Sequence, residues 1–437
     1  METRRRDFIL RTLFGGGLVG LRALATGLPL SFLLERKVRA DSGSSSGCQI
    51  DPMKMQYMIL ATSGAGDPAN NNAPGTYDYP DIIHPADPSM AATSIKLGST
   101  QTTAAQIWST LPQSVLDRTL FFHHGTYTNS HPNHTKVLRL MGGTASNEYL
   151  PSIYAKALAP CLGTVQVEPL SVGAGNILAF NGRALPNLKP SALKDILTHS
   201  TTPLGKLATL RDRSLDKLNM VLKGSGTPEQ LAFLDNMATS HQQARGLSDS
   251  LLGALSNLHD DGPDSQVTAA ITMIRMNVSP VCAINIPFGG DNHADPNLLT
   301  KEVPQHATGI ASIASMMTQL QAAGLQDRVT FMMLNVFGRT LKNQGLTGRN
   351  HWANHHATLL IGKNVNAGVI GGVIPQGNDY QASPIDSSSG RASMTGDIDF
   401  TSTFGAMAKT AGRALGVPQD VLDAGILTGK VIETALL

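Results

Sequence analysis

The sequence predicts an α/β protein: a mostly parallel sheet with helices on both faces and a helical insertion. Apolar runs of strand length recur along the chain, several with hardly a polar residue, as strands covered on both faces require. Amphipathic stretches at helical spacing separate the later runs. From about 191 to 277 the pattern turns to long helical stretches with no strand signal.

Met55–Ala61 (MQYMILA) reads as the first strand. A helix-like stretch over 104–111 leads into the second, Arg118–His123 (RTLFFH). Val165–Leu170, Val281–Pro287 (VCAINIP), Val329–Val336 (VTFMMLNV) and Ala357–Gly362 (ATLLIG) complete the set. His306–Ala323 spaces Ile310, Ile313, Met316, Met317 and Leu320 along one helical face, with Gly324 as its C-cap. Within the insertion, 204–222, 228–258 and 265–276 carry helical periodicity. Asp379–Asp399 is a polar loop, and Thr401–Ala414 a C-terminal helix.

A length of 437 residues suits one large domain with an insertion. The net charge of +2 gives no basis for a nucleic-acid partner or electrostatic membrane binding. The N-terminus carries a processing signal. Arg4-Arg5-Arg6-Asp7-Phe8-Ile9-Leu10 fits the twin-arginine export pattern. A moderately apolar stretch from Leu13 to Leu34 follows, interrupted by Arg22 and softened by Gly15-Gly16-Gly17. Val38-Arg39-Ala40 offers small residues for cleavage. An uncleaved segment would be the protein's one attachment to a membrane. The expected organisation is a signal peptide over 1–40, a flexible linker over 41–54 and one domain over 55–437, exported to the periplasm or secreted. Of three cysteines, Cys282 sits in an apolar run and reads as core. Cys48 and Cys161 have the option of pairing after export, which their spacing does not decide.

In open α/β sheets ligands bind beyond the carboxyl ends of the strands, so the loops there are where chemistry is sought. The first strand is followed by Thr62-Ser63-Gly64-Ala65-Gly66-Asp67-Pro68 and Asn70-Asn71-Asn72, and the second by HHGTYTNSHPNH, 123–134. Asp291-Asn292-His293-Ala294-Asp295 follows the 281–287 run, and Phe337-Gly338-Arg339 the 329–336 run. Gly348-Arg349-Asn350-His351-Trp352 precedes the last. Six of the thirteen histidines fall in these loops: His123, His124, His131, His134, His293 and His351. At most two or three of the first four are expected to face one site, with the rest on the surface. Asp291, His293 and Asp295 alternate donors that can share one divalent ion, or else form a turn capped by its own side chains. His351 can ligate, donate a proton or pin its loop. Arg339 and Arg349 can grip an anion in bidentate fashion, or form salt bridges to neighbouring loops. Thr126, Thr128 and Ser130 are nucleophile candidates by location alone. His355 and His356 point to opposite faces, so at least one lies away from the site.

Several stretches match a family pattern. They are the twin-arginine start, Leu210-Arg211-Asp212-Arg213, and Gly290-Asp291-Asn292-His293, where the family has Gly-Trp-Asp-Thr-His. The most specific are Phe337-Gly338-Arg339-Thr340 and Gly348-Arg349-Asn350-His351-Trp352, where the family has Glu-Phe-Gly-Arg-Thr and Gly-Arg-Asp-His-Trp. The chain resembles DUF1501, a bacterial family of unknown function related to the alkaline phosphatase and sulfatase superfamily. The resemblance implies an alkaline-phosphatase-like core. One or two divalent metals would be held by Asp and His on the strand-end loops, and a Ser, Thr or modified Cys would attack a phosphate or sulfate ester. By position, Asp67, Asp291, His293 and His351 become the metal candidates, with His134, Arg339 and Arg349 as catalytic candidates. The superfamily's Asp-His pair falls on Val336-Phe337, the family's Glu is Val336, and its Asp before the late His is Asn350. These departures point to a reduced site holding one metal or none. The expected substrate is a small anionic ester. The alternative is a non-catalytic envelope protein that binds an anion or a protein partner on the same scaffold.

Overall fold

The computed structural model describes residues 48, 54–66, 68–164, 166–198, 258, 260–288, 290–342, 345 and 347–437, with scattered positions between 216 and 238. The expected signal peptide, most of the linker, Asp67 and most of the 204–222 and 228–258 stretches lie outside the described residues.

Among the described residues seven strands form the main sheet: β1 Tyr57–Ala61, β2 Thr119–His124, β3 Leu170–Ser171, β4 Val281–Ile284, β5 Val329–Met333, β6 His356–Ile361 and β7 Gly368–Ile370. Their order is β7-β2-β6-β5-β1-β4-β3. Ile59 at the middle of β1 lies opposite Cys282 and Phe331, both pairings parallel. β3 is parallel to β4, and β7 to β2. β6 runs antiparallel to both β2 and β5. Six strands therefore end at one sheet edge, and β6 begins there. Every residue of β1, β2 and β6 is buried, which accounts for the apolar side chains at their centres.

The principal helices are α1 Leu150–Leu162, α2 Pro263–Arg275, α3 Glu302–Ala322 and α4 Thr403–Ala414. α3 buries the five apolar residues its periodicity predicts, and Gly324 follows it in the left-handed region. α2 packs on α3 and β4, and α4 on β2. The Tyr154 hydroxyl of α1 donates to the Ala408 carbonyl of α4. One continuous apolar cluster joins the sheet and these helices, and buried Cys282 belongs to it. Cys48 and Cys161 form a disulfide that ties the chain ahead of β1 to α1. Among the described residues no helix is long and apolar enough to cross a membrane.

Three expectations are corrected. The 104–111 stretch is no α-helix: Thr100–Ala105 pairs with Ala92–Leu97 in a hairpin, and Gln106–Thr110 is a short 3-10 helix. Its Thr-rich approach favours extended backbone. Val165 lies outside the described residues; of 166–170 only Leu170 joins the sheet, continuing to Ser171, because Pro169 supplies no ladder N–H and Val167 is exposed. The polar loop 379–399 opens with a strand, Asp379–Ala382, paired to Val373–Gln376.

Candidate functional site

The reversed direction of β6 decides where the site lies. The segment before β6 reaches the same edge as the loops after β1, β2, β4 and β5. There Gly338–Arg339 pairs antiparallel with His351–Trp352, setting Arg339 opposite His351. A second strap joins the loop after β4 to the same segment. Gly348 N–H donates to the His293 carbonyl at 3.1 Å, and Arg349 N–H to the Asn292 carbonyl at 3.0 Å.

These two straps bring His293 and His351 together. Their Nε2 atoms face each other at 2.9 Å. His351 Nδ1 lies 2.8 Å from the Asn129 carbonyl. A carbonyl can only accept, so Nδ1 carries the proton and Nε2 presents a lone pair. His293 then donates its Nε2–H into that lone pair. His131 follows the same rule: its Nδ1 donates to the Gly64 carbonyl at 2.6 Å. Its ring stands edge-on to His351 with centroids 4.6 Å apart. Phe337 stacks on His351 at 4.3 Å and tilts against His131 at 4.9 Å. Partial burial, and then Arg339 and the neighbouring imidazoles, hold His351 below the usual histidine value against the opposing pull of the Asn129 carbonyl.

The other candidates are placed differently. Arg339 is fully buried. Its guanidinium donates to the Gly290 carbonyl and lies 5.7 Å from the Phe337 ring centroid. Arg349 is also buried and forms a bidentate pair with Glu302, Nε–Oε2 2.6 Å and Nη2–Oε1 3.0 Å. Its remaining donors reach the carbonyls of Thr340, Leu341 and Ile83. Its guanidinium is thus a loop-to-helix salt bridge and not an anion grip at the edge. Asp291 is exposed and caps its own turn, accepting from His293 N–H at 3.0 Å, which holds its carboxyl below the ordinary value. Asp295 turns away to the start of α3, accepting the N–H groups of Thr300, Lys301 and Glu302. Val336 and Phe337 are both fully buried in the core.

Four of the sheet-edge histidines form interior hydrogen bonds in place of a site. Asn70 donates to His355 Nδ1, His355 Nε2–H to His123 Nδ1, and His123 Nε2–H to the Pro74 carbonyl. That order satisfies every atom with neutral rings. Burial pushes His123 down to about 4 and His355 well below the ordinary value. His124, likewise pushed well down, bonds the Gly125 carbonyl and Thr358, while His356 Nε2 accepts Asn335 N–H. His355 and His356 thus serve opposite neighbours, as the alternation requires. His134 is buried against Thr62, Nε2–Oγ1 2.8 Å, and burial lowers it to about 4. Thr126 is buried under the Ala353 carbonyl, and Thr128 accepts from Asn133 at 2.8 Å. Ser130 is partly buried beside His131.

The residues that could hold a metal are therefore His293 and His351, beside His131. Two nitrogens on a tetrahedral ion with bonds of about 2.0–2.1 Å stand about 3.3–3.4 Å apart, so the 2.9 Å pair would open by a few tenths of an ångström to hold one. The carbonyl behind His351 Nδ1 is the usual support of a ligating imidazole. Among the described residues no group of three or more His, Cys, Asp or Glu side chains is arranged to hold an ion. Sequence reading missed Asn129 and Gly64, which hold the His351 and His131 rings, and Glu302, which binds Arg349 and Asn292. Two of them act through backbone carbonyls, which leave no mark in a sequence.

A family model described as a protein of unknown function (DUF1501) matches residues 212–399. The matched stretch contains the Asp291–Asp295 loop, the Arg339 and His351 segments and Glu302, and supports the resemblance to that family. No curated protein matches the chain.

Proposed function

We propose that this chain is an exported DUF1501-type protein on an alkaline-phosphatase-like scaffold. It binds one divalent metal ion through His293 and His351 and acts on small phosphate or sulfate esters. The observation that carries the reading is the pair of facing Nε2 atoms, 2.9 Å apart, at the edge where six strands end. When bound, the ion would polarise the ester and lower the pKa of a coordinated water. The chain's own groups prepare that position. Asn129 fixes the His351 tautomer, Phe337 forms an apolar wall behind the ring, and buried Arg339 adds fixed positive charge beneath. His134 keeps Thr62 in place and Arg349 is spent on Glu302, so neither meets the substrate directly in this reading. Export by the twin-arginine route, to the periplasm or beyond, suits a protein that takes up its metal while folded in the cytoplasm.

The first test is metal content by mass spectrometry of chain purified from an export-competent host, followed by hydrolysis of 4-nitrophenyl phosphate and 4-nitrophenyl sulfate. About one equivalent of metal is expected, lost in His293→Ala and His351→Ala together with turnover. A metal-free chain that ignores chelators in both stability and activity would sink the reading. Val336 and Phe337 favour a second reading, an anion- or partner-binding envelope protein, because they fill the place of a second ligand pair with buried apolar side chains. Stoichiometric metal with no turnover of either ester would select that one.

A further inference from the structure

Glu302 opens α3, and its side chain is completely shielded from solvent. The carboxylate faces four N–H donors: Arg349 Nε at 2.6 Å, Arg349 Nη2 at 3.0 Å, Asn72 Nδ2 at 2.8 Å and Asn292 Nδ2 at 3.2 Å. Asn292 immediately precedes His293, and Arg349 lies two residues before His351. One carboxylate thus grips both loops that carry the facing imidazoles, at the point where their backbones are bonded to each other. Asp295 secures the arrangement from the other side. Its Oδ2 accepts Glu302 N–H at 2.8 Å, while Oδ1 accepts the N–H groups of Thr300 and Lys301. The loop that presents His293 is therefore bonded to the first turn of the helix that presents Glu302.

Stability alone does not account for this ion pair. Burying two charges costs roughly as much as their attraction returns, and apolar side chains of similar volume often hold a fold as well. A bidentate pair contributes direction: a planar guanidinium on a planar carboxylate fixes both distance and angle. The direction fixed here is the approach of the 292–293 backbone to the 348–351 backbone.

We propose that Glu302 is a positioning residue, which through Arg349 and Asn292 sets the separation at which His293 Nε2 and His351 Nε2 face each other. The metal-binding consequence rests on the function proposed above; the ring geometry does not. Glu302 touches neither imidazole and acts only through the two loops.

The test uses the full chain labelled with 15N-histidine and three sequences: wild type, Glu302→Gln and Asn292→Ala. The second variant keeps the Glu302–Arg349 pair and removes one strut, so it guards against a Glu302→Gln chain that fails to fold. Long-range proton–nitrogen spectra of the metal-free protein report each ring's tautomer. Wild type is expected to show one protonated and one unprotonated Nε2, bonded to each other. The variants are expected to keep the His351 tautomer that Asn129 fixes, to lose the bond between the two rings, and to show an averaged tautomer at His293. Zinc affinity, measured by competition with a chromophoric chelator, is expected to fall about tenfold to a hundredfold in the variants, as loss of supporting contacts around a ligand typically does. Thermal stability of Asn292→Ala, measured without metal, should change little by comparison. Unchanged ring spectra in folded variants overturn the positioning role whatever the metal does. If wild type binds no zinc while the variant spectra change as expected, the positioning role stands and the metal reading falls.

Discussion

At Gly348 a single methyl group would test the closeness of the two histidine loops. A Cβ there would stand 1.8 Å from the Asn292 carbonyl oxygen and 2.9 Å from the carbonyl carbons of Asn292 and His293. All three are backbone atoms, so no side chain can swing aside to make room. Gly348→Ala is expected to push the strap apart and cost about 1–3 kcal/mol, the usual penalty for overpacking. The midpoint of urea unfolding measures it, and a wild-type midpoint would mean that the loops do not approach this closely. Arg349, its neighbour, shows what sequence conceals at this scale. A guanidinium beside Asn350-His351-Trp352 reads equally as an anion grip or a salt bridge. The deciding partner, Glu302, lies 47 residues away on a helix whose periodicity says nothing of its first turn. The resemblance only sets Phe337 where that superfamily would carry a ligand; its stacking on His351 follows from the ribbon pairing and not from composition.

Among the elements, strands buried on both faces were the most legible, because a continuous apolar run too short for a helix and bounded by turn residues suits the middle of a covered sheet. β1, β2, β5 and β6 fall within a few residues of their expected bounds. The direction of β6 was not legible, since an apolar run carries no sign of parallel or antiparallel pairing. That direction is what brings His351 to the edge shared by His131 and His293. The hairpin over 92–105 was missed because its alternation is diluted by threonine and serine, whose small side chains mark neither face strongly. The Cys48–Cys161 bridge, left open by spacing, closes a loop with a sequence separation of 113. For a loop of that order, restricting the unfolded chain is worth about 4–5 kcal/mol on the entropic account, and removing a native bridge commonly costs about 2–5 kcal/mol. Cys48→Ser with Cys161→Ser should therefore lower the unfolding midpoint of the oxidised chain by a corresponding amount. Reductant should lower wild type to the same level and leave the double variant unmoved. A double variant as stable as the oxidised wild type would show that the unfolded chain gains nothing from the bridge's removal.

Across the whole molecule, the buried histidines couple the fold to pH. Burial lowers His84 to about 3 and His123 and His134 to about 4, and holds His124 and His355 well below the ordinary value. In the unfolded chain each titrates near 6.5. The unfolded state therefore takes up protons first as pH falls, and the neutral rings of the fold do not follow until about 4 or lower. Stability contributed by keeping these rings neutral is complete above about pH 6.5 and is lost progressively as pH falls from 6.5 toward 4. Each histidine adds a slope of about 1.4 kcal/mol per pH unit within that window. The unfolding free energy should accordingly be flat from pH 7 to 8 and then fall with a slope worth several protons, well before the surface carboxylates titrate. His134→Gln provides the control, because a glutamine can still bond Thr62 but cannot take up a proton. Its slope between pH 6 and 4.5 should be shallower than wild type by about one proton. Urea midpoints across pH 4 to 8 for the two chains measure the difference. Parallel curves would mean that His134 titrates alike in both states, and so is not sealed from water as its contact with Thr62 implies.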